Sequence, residues 1–214
     1  QTRGGDSLQN AWTSRTMEIR SSNAIALNNV SLSGNIVVTA PKVYIGRDAK
    51  LKDILVFAQV IHVESGFDGR VQLFASDTLI VEPRCTLQYP SALILSSAES
   101  YGFINLGTES QLEGVLLSDP AFANEGKKTE SYTRIDSGAT VFGNVIVSDN
   151  LEVKGNVTGN LITGKFQLRT SGAVYENHLL DATIQNEGLS PQYAMPLLQM
   201  DPQKFVEIFE LKWK

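Results

Sequence analysis

Eighteen residues recur without a gap through the middle of this chain. Val43–Val60 (VYIGRDAKLKDILVFAQV), Ile61–Thr78 (IHVESGFDGRVQLFASDT) and Leu79–Ser96 (LIVEPRCTLQYPSALILS) open on the matching tetrads VYIG, IHVE and LIVE. A short fixed period means that each unit is one structural step, unable to bury its apolar side alone, so that neighbouring units must stack. The same frame fits Ile25–Lys42 before these units, and further units open at Ile104, Thr133, Leu151 and Phe166. The third position reads Leu27, Ile45, Val63, Val81, Leu106, Ile135, Val153 and Leu168, aliphatic throughout. The first position is apolar in every unit except the one beginning at Thr133.

Between these positions stand Tyr44, His62, Asn105, Arg134, Glu152 and Gln167. Alternation of this kind has the strand period of two, with the first and third residues facing a core. Units of 15–18 residues are too short for a strand, a crossover helix and a second strand. The sequence therefore predicts an all-β chain: a right-handed parallel β-helix, or solenoid, of about eight such rungs with N- and C-terminal caps. A left-handed hexapeptide helix is the competing architecture, since residues 45, 51, 57, 63, 75, 81, 87 and 93 are all apolar. Its small-residue position would here hold Leu55, Ile61, Phe67, Leu73 or Leu79, too bulky for a tight prism. The predicted organisation is a linker or cap over 1–24, the repeat over 25–184, and a capping segment over 185–214.

Gly34-Asn35, Gly143-Asn144, Gly159-Asn160 and Glu176-Asn177 fall at matching places in their units. Gly and Asn tolerate left-handed backbone, as sharp corners require. Stacked Asn side chains can also bond to one another along such an edge.

A net charge of −5 gives no electrostatic case for nucleic acid. No stretch approaches the ~18 apolar residues of a membrane span. Cys85 occupies the repeat position of Ala49 and Phe67 and reads as a small core residue. His62 and His178 read as surface residues. The chain opens on Gln1 with a polar stretch that would suit a linker following an anchor or signal segment, which places it in the periplasm or at the cell surface, with the cytoplasm left open. No nucleophile–base motif, metal-ligand spacing or phosphate loop appears, so no catalytic residue, metal or cofactor is expected.

Two clusters remain as candidate sites. Glu64 and Glu82 occupy one outward position on adjacent units, where their carboxylates would stand at about the spacing of a retaining glycosidase pair. A solvated face explains them as well. The insertions 97–103 (SAESYGF) and 122–132 (FANEGKKTESY) leave the repeat at one corner, one unit apart. They would bring together Glu99, Tyr101, Phe122, Lys127, Lys128, Glu130 and Tyr132 as a face for a protein or glycan partner. The tail alternates Phe209, Leu211 and Trp213 with Glu210, Lys212 and Lys214, and is expected to cover the open end of the repeat.

The rung grammar over 25–183, with aliphatic-x-aliphatic triplets, a turn and a second aliphatic pair, resembles the bactofilins, bacterial polymer-forming cytoskeletal proteins built as right-handed parallel β-helices. The resemblance implies a non-enzymatic scaffold of the cell envelope that assembles end to end, often at a membrane. The corner insertions and the apolar tail depart from that pattern and favour a monomer or small oligomer over a filament. The alternative function is a carbohydrate-binding or carbohydrate-active β-helix.

Overall fold

The computed structural model describes residues 6–96, 101–119, 130–179, 181–189 and 193. These residues form fourteen strands and no helix. In the first half are β1 Ser7–Asn10, β2 Met17–Arg20, β3 Ile25–Leu27, β4 Ser31–Ile45, β5 Lys50–Val63, β6 Asp68–Val81 and β7 Thr86–Leu95. The second half contains β8 Tyr101–Leu106, β9 Gln111–Ser118, β10 Glu130–Ile135, β11 Thr140–Val153, β12 Asn156–Arg169, β13 Val174–Glu176 and β14 Thr183–Gln185. The all-β class and the parallel pairing agree with the sequence.

Register follows the eighteen-residue frame. Ile25, Val43, Ile61, Leu79, Ile104, Thr133 and Leu151 pair in succession, each with the next, across parallel strands. Third-position residues from Leu27 to Val153 are at most 3% exposed. Alternation sends these side chains inward, and burying one Leu, Ile or Val contributes roughly 1.5–3 kcal/mol. The core is continuous from Leu27 to Val157.

The open solenoid expected from the repeat is not what these strands build. The path β6–β7–β9–β11–β10–β8 returns to its start, because Thr78–Val81 of β6 pair with Phe103–Leu106 of β8. Six parallel strands thereby close into a barrel-like ring, and β1–β5 and β12–β14 lie outside it. Long strands serving two neighbours make the closure. Asp68–Ala75 of β6 pair with β7 while its last residues pair with β8. Likewise Thr140–Val147 of β11 pair with β9, and Asn150–Val153 with β10. A sequence repeat states which residues stack; open and closed sheets share that register, so the frame alone does not separate them.

The ends of the repeat differ from its middle. In the unit opening at Phe166, β13 turns back antiparallel on Gln167–Arg169 instead of continuing the parallel stack. The turn is tied by Thr170 N–H donating to the Ala173 carbonyl, and all three residues of β13 are exposed. At the other end, β1 and β2, within the segment read as a linker or cap, pair in register with β4.

Corners repeat as faithfully as strands. Ala49, Phe67, Ser110 and Ala139 each donate a backbone N–H to the carbonyl three residues back. The residue before the donor is left-handed at Gly66, Glu109 and Gly138. Turn-ending residues Ala49, Phe67, Cys85, Ser110 and Ala139 are all buried. Cys85 is thus the core residue its repeat position implies, its thiol donating to the Glu64 carbonyl at 3.2 Å.

Candidate functional site

Glu64 and Glu82 close the corners after β5 and β6. Glu64 Oε2 accepts the Arg47 backbone N–H at 2.9 Å, and Glu82 Oε2 accepts that of Ser65 at 3.0 Å. Each carboxylate thus caps the turn one unit back. Glu82 Oε1 also lies 2.7 Å from His62 Nε2. The Ser65 N–H and then His62 hold the Glu82 carboxyl below the usual carboxylate range, against the upward push of burial. A carboxylate so held is a poor candidate for the protonated acid of a glycosidase pair, the other member of which is ionised. His62 is one-third exposed, and exposed His178 places Nδ1 2.7 Å from the Glu176 carbonyl.

Of the seven residues assigned to the corner insertions, Glu99, Phe122, Lys127 and Lys128 lie outside the described residues. Tyr101, Glu130 and Tyr132 belong to strands, not loops. Pairing resumes at Tyr101 and Glu130, which face each other across β8 and β10 and are both exposed. Tyr132 is only 5% exposed, its ring stacked on Phe103 at 6.1 Å. It is therefore a packed residue, not a contact on a projecting loop.

Tyr132 anchors a polar network. Its hydroxyl donates to Glu152, a carboxylate 3% exposed. Lys154 Nζ stands 2.7 Å from Glu152 Oε1, Arg169 N–H donates to the same oxygen at 3.3 Å, and the Arg169 guanidinium lies 4.0 Å over the Tyr132 ring. Burial pushes the Glu152 carboxyl up, but bonds from Lys154, Tyr132 and Arg169 outweigh it and leave the pKa lowered. Burial, then the Glu152 bond, pushes the Tyr132 phenol up.

A carboxylate whose folded pKa is depressed adds stability above its unfolded value, and that stability is lost as pH falls through the folded one. Glu152 and Glu82 thus support the fold fully above the ordinary 4.5. Thermal melts of the parent should fall steeply in more acidic buffer. Glu152→Gln should flatten that acid limb and cost about 2 kcal/mol at neutral pH. An unchanged acid limb would remove Glu152 from this account.

The outer surface carries a second apolar column. Thr39, Phe57, Phe74, Ile94, Leu117, Ile146 and Ile162 are successive register partners on the outward side of the strands. Phe57 and Phe74 stack with centroids 4.5 Å apart, and they line a groove of about 400 Å³ with Ala58, Thr39, Gln59 and Ser76. Phe57 and Ile162 are 37% and 46% exposed, whereas Ile94 and Leu117 are each 6% exposed and pack with Ala92 and Val115.

Beside the covered stretch runs a column of glycines. Gly114, Gly143 and Gly159 pair in register with φ of 149°, 144° and 141°. A Cβ at any of them would collide with a carbonyl oxygen of the adjacent strand. Asn160 Nδ2 donates to Asn144 Oδ1 at 2.9 Å, the ladder expected of stacked Asn residues, whereas exposed Asn177 stands apart in the β13 turn. Tyr193, the one described residue after 189, places its hydroxyl here: it donates to the Gly114 carbonyl at 2.9 Å and accepts from Asn144 Nδ2 at 3.3 Å. The sequence leads one to expect the tail over the end of the repeat; this part of it lies against the wall of β9 and β11, and residues 194–214 are outside the described residues.

The apolar column and Tyr193 were not anticipated from the sequence. The column was legible in principle, since one outward position of every unit reads apolar from Phe57 to Ile162. Tyr193 had no repeat partner to reveal it. Comparison with protein-family models, curated proteins and solved structures finds no match, so the resemblance to bactofilins rests on the rung residues alone.

Proposed function

We propose that this chain is a non-catalytic binding protein whose parallel-strand body presents an apolar outer face to a partner protein. The observation that carries this is the stacked Phe57–Phe74 pair in its groove, at a place where outward strand positions are ordinarily polar. The occupant that fits is an extended protein segment bearing aromatic or aliphatic side chains. The floor offers phenyl rings and Ala58, and hydroxyls and an amide stand beside them. Tyr193 supplies a related pattern at the glycine column of β9 and β11, away from the groove: an aromatic residue from a distant part of the chain seats there with its hydroxyl satisfied by backbone and amide. The carboxylates argue for binding rather than turnover. Glu82 and Glu152 engage both oxygens in capping, hydrogen-bond or ion-pair contacts, and Glu64 caps a turn through one.

The test is a photo-cross-linking phenylalanine analogue placed at 57 and, as a control, at Lys42 on another outward column. A discrete adduct from 57 alone, lost on adding Phe74→Ser, is the expected result. Identical adducts from both positions would overturn the docking face, and an adduct of the chain with itself would replace the partner by a second copy. Phe74→Ser removes one stacked ring and should cost only about 1 kcal/mol beyond its area term, leaving the fold intact for the comparison.

A further inference from the structure

We infer that a polar groove across the first residues of β4, β5 and β6 is a binding site for an acidic saccharide. It shares no lining residue with the Phe57–Phe74 groove and does not depend on the docking role proposed there. The groove measures about 530 Å³, within the ~300–1,000 Å³ typical of small-molecule sites. Register sets Ser31 beside Lys50, Ser33 beside Lys52, and Lys52 beside Arg70. All are outward positions, because Leu32 and Leu51 between them are buried. The three strands also break register at one place: after Ser33, after Lys52 and after Gly69. Such irregularities bend a strand and re-aim its side chains. At this bend Asp53 has a φ of 63°, and its Oδ2 accepts from an Arg70 guanidinium nitrogen at 2.7 Å. Arg70 is thereby fastened and neutralised at the edge of the groove.

Charge selects the ligand. The lining side chains include three cations and a single carboxylate, Asp68, in a chain whose net charge is −5. Asp68 Oδ1 accepts from Gln88 Nε2 at 2.6 Å, and Arg70 belongs to Asp53. Lys50 and Lys52 remain, both exposed and paired with no carboxylate among the described residues. Two residues apart on one side of a strand, they stand roughly 6.6 Å from each other along the backbone. Their ammonium groups repel, and an anion held between them relieves the repulsion. Around this pair the Ser31 and Ser33 hydroxyls, the Gln88 amide and the Asp68 carboxylate offer both donors and acceptors, as a polyol requires. No aromatic ring lines the groove, so a nucleobase would find nothing to stack on. One anionic group on a body of hydroxyls is the chemistry that matches, which describes a sugar carrying a carboxylate or a sulfate.

Titration calorimetry of the full chain against a galacturonate trisaccharide, a sulfated maltotriose and plain maltotriose tests the site. At least one acidic trisaccharide should bind, with maltotriose about tenfold weaker or worse, and the tighter of the two identifies the anion. Lys50→Gln/Lys52→Gln should weaken that binding at least about tenfold, as the loss of two charge-assisted bonds requires, with an unchanged melting temperature. Lys42→Gln/Arg47→Gln removes the same charge from exposed positions off the groove and should leave the affinity as it was. Ser31→Ala/Ser33→Ala should weaken it about threefold through the sugar hydroxyls. Binding should also fall as salt is raised. Failure of both acidic sugars to bind, equal affinity for maltotriose, or equal loss in the Lys42/Arg47 variant would overturn the site. Sodium sulfate competing as well as the sugar would reduce it to an anion contact and overturn the saccharide, and tighter binding of a DNA duplex would do the same. Cross-links from position 57 should be unaffected by Lys50→Gln/Lys52→Gln, so this site and the apolar docking face stand or fall separately.

Discussion

Val81→Asp should leave no cooperatively folding protein. Val81 is 0% exposed, stacks between Val63 and Leu106, and lies in the β6–β8 segment that closes the ring. Among the described residues the core around it is aliphatic and holds no cation. The new carboxyl must therefore stay protonated at a cost or drag water into the core, and either outcome costs several kcal/mol. Total stability of a domain is about 5–15 kcal/mol, so one such residue consumes much of it. A larger charge change on the nearby surface is a fair control. Glu64→Lys loses one bond to the Arg47 N–H and should cost about 1 kcal/mol. Circular dichroism melts and gel filtration read both. Equal tolerance at Val81 and Glu64 would refute the register on which every inward assignment depends.

That register was legible because parallel stacking copies a sequence period directly into space. Residues facing one another, such as Ile61 and Leu79, must have the same character if both point inward, and the tetrads VYIG, IHVE and LIVE show it. Cys85 was placed in the core by the same logic, through Ala49 and Phe67. Closure was not legible. It depends on β6 and β11 pairing with different neighbours along their two halves, a property of how strands are shared that no single unit encodes. Insertions were hardest to place. Tyr101 and Tyr132 sit in stretches where the period breaks, and only the pairing of β8 with β10 shows that one is exposed and the other packed. Outward positions carry the least constraint, because water tolerates nearly any residue there. An apolar outward column is therefore a signal of function only once the structure shows which side of each strand is out.

Gly143→Ala should be strongly destabilising, although Gly-to-Ala in a neutral setting stabilises by about 0.4–1 kcal/mol through the unfolded chain. The backbone φ of 144° lies where L side chains rarely go, a strain of about 1–3 kcal/mol. The added Cβ would also collide with the Gly114 carbonyl oxygen and stand 2.6 Å from the Tyr193 hydroxyl. Neither neighbour can yield cheaply. The carbonyl is fixed in the β9–β11 pair, and the hydroxyl is held by two bonds. Strain and collision together should cost more than about 3 kcal/mol, the scale of overpacking a tight core. Two other glycines separate the causes. Gly66→Ala shares a positive φ, 82°, but meets nothing within 4 Å, so it should show only the backbone strain. Gly159→Ala collides with the Gly143 carbonyl in the same way and has no Tyr193 contact among its nearest atoms, so it should destabilise nearly as much through the strand collision alone. Denaturant melts order the three. If Gly143 and Gly66 tolerate alanine equally, the close approach of β9 and β11 at the glycine column is wrong, and the seat of Tyr193 goes with it.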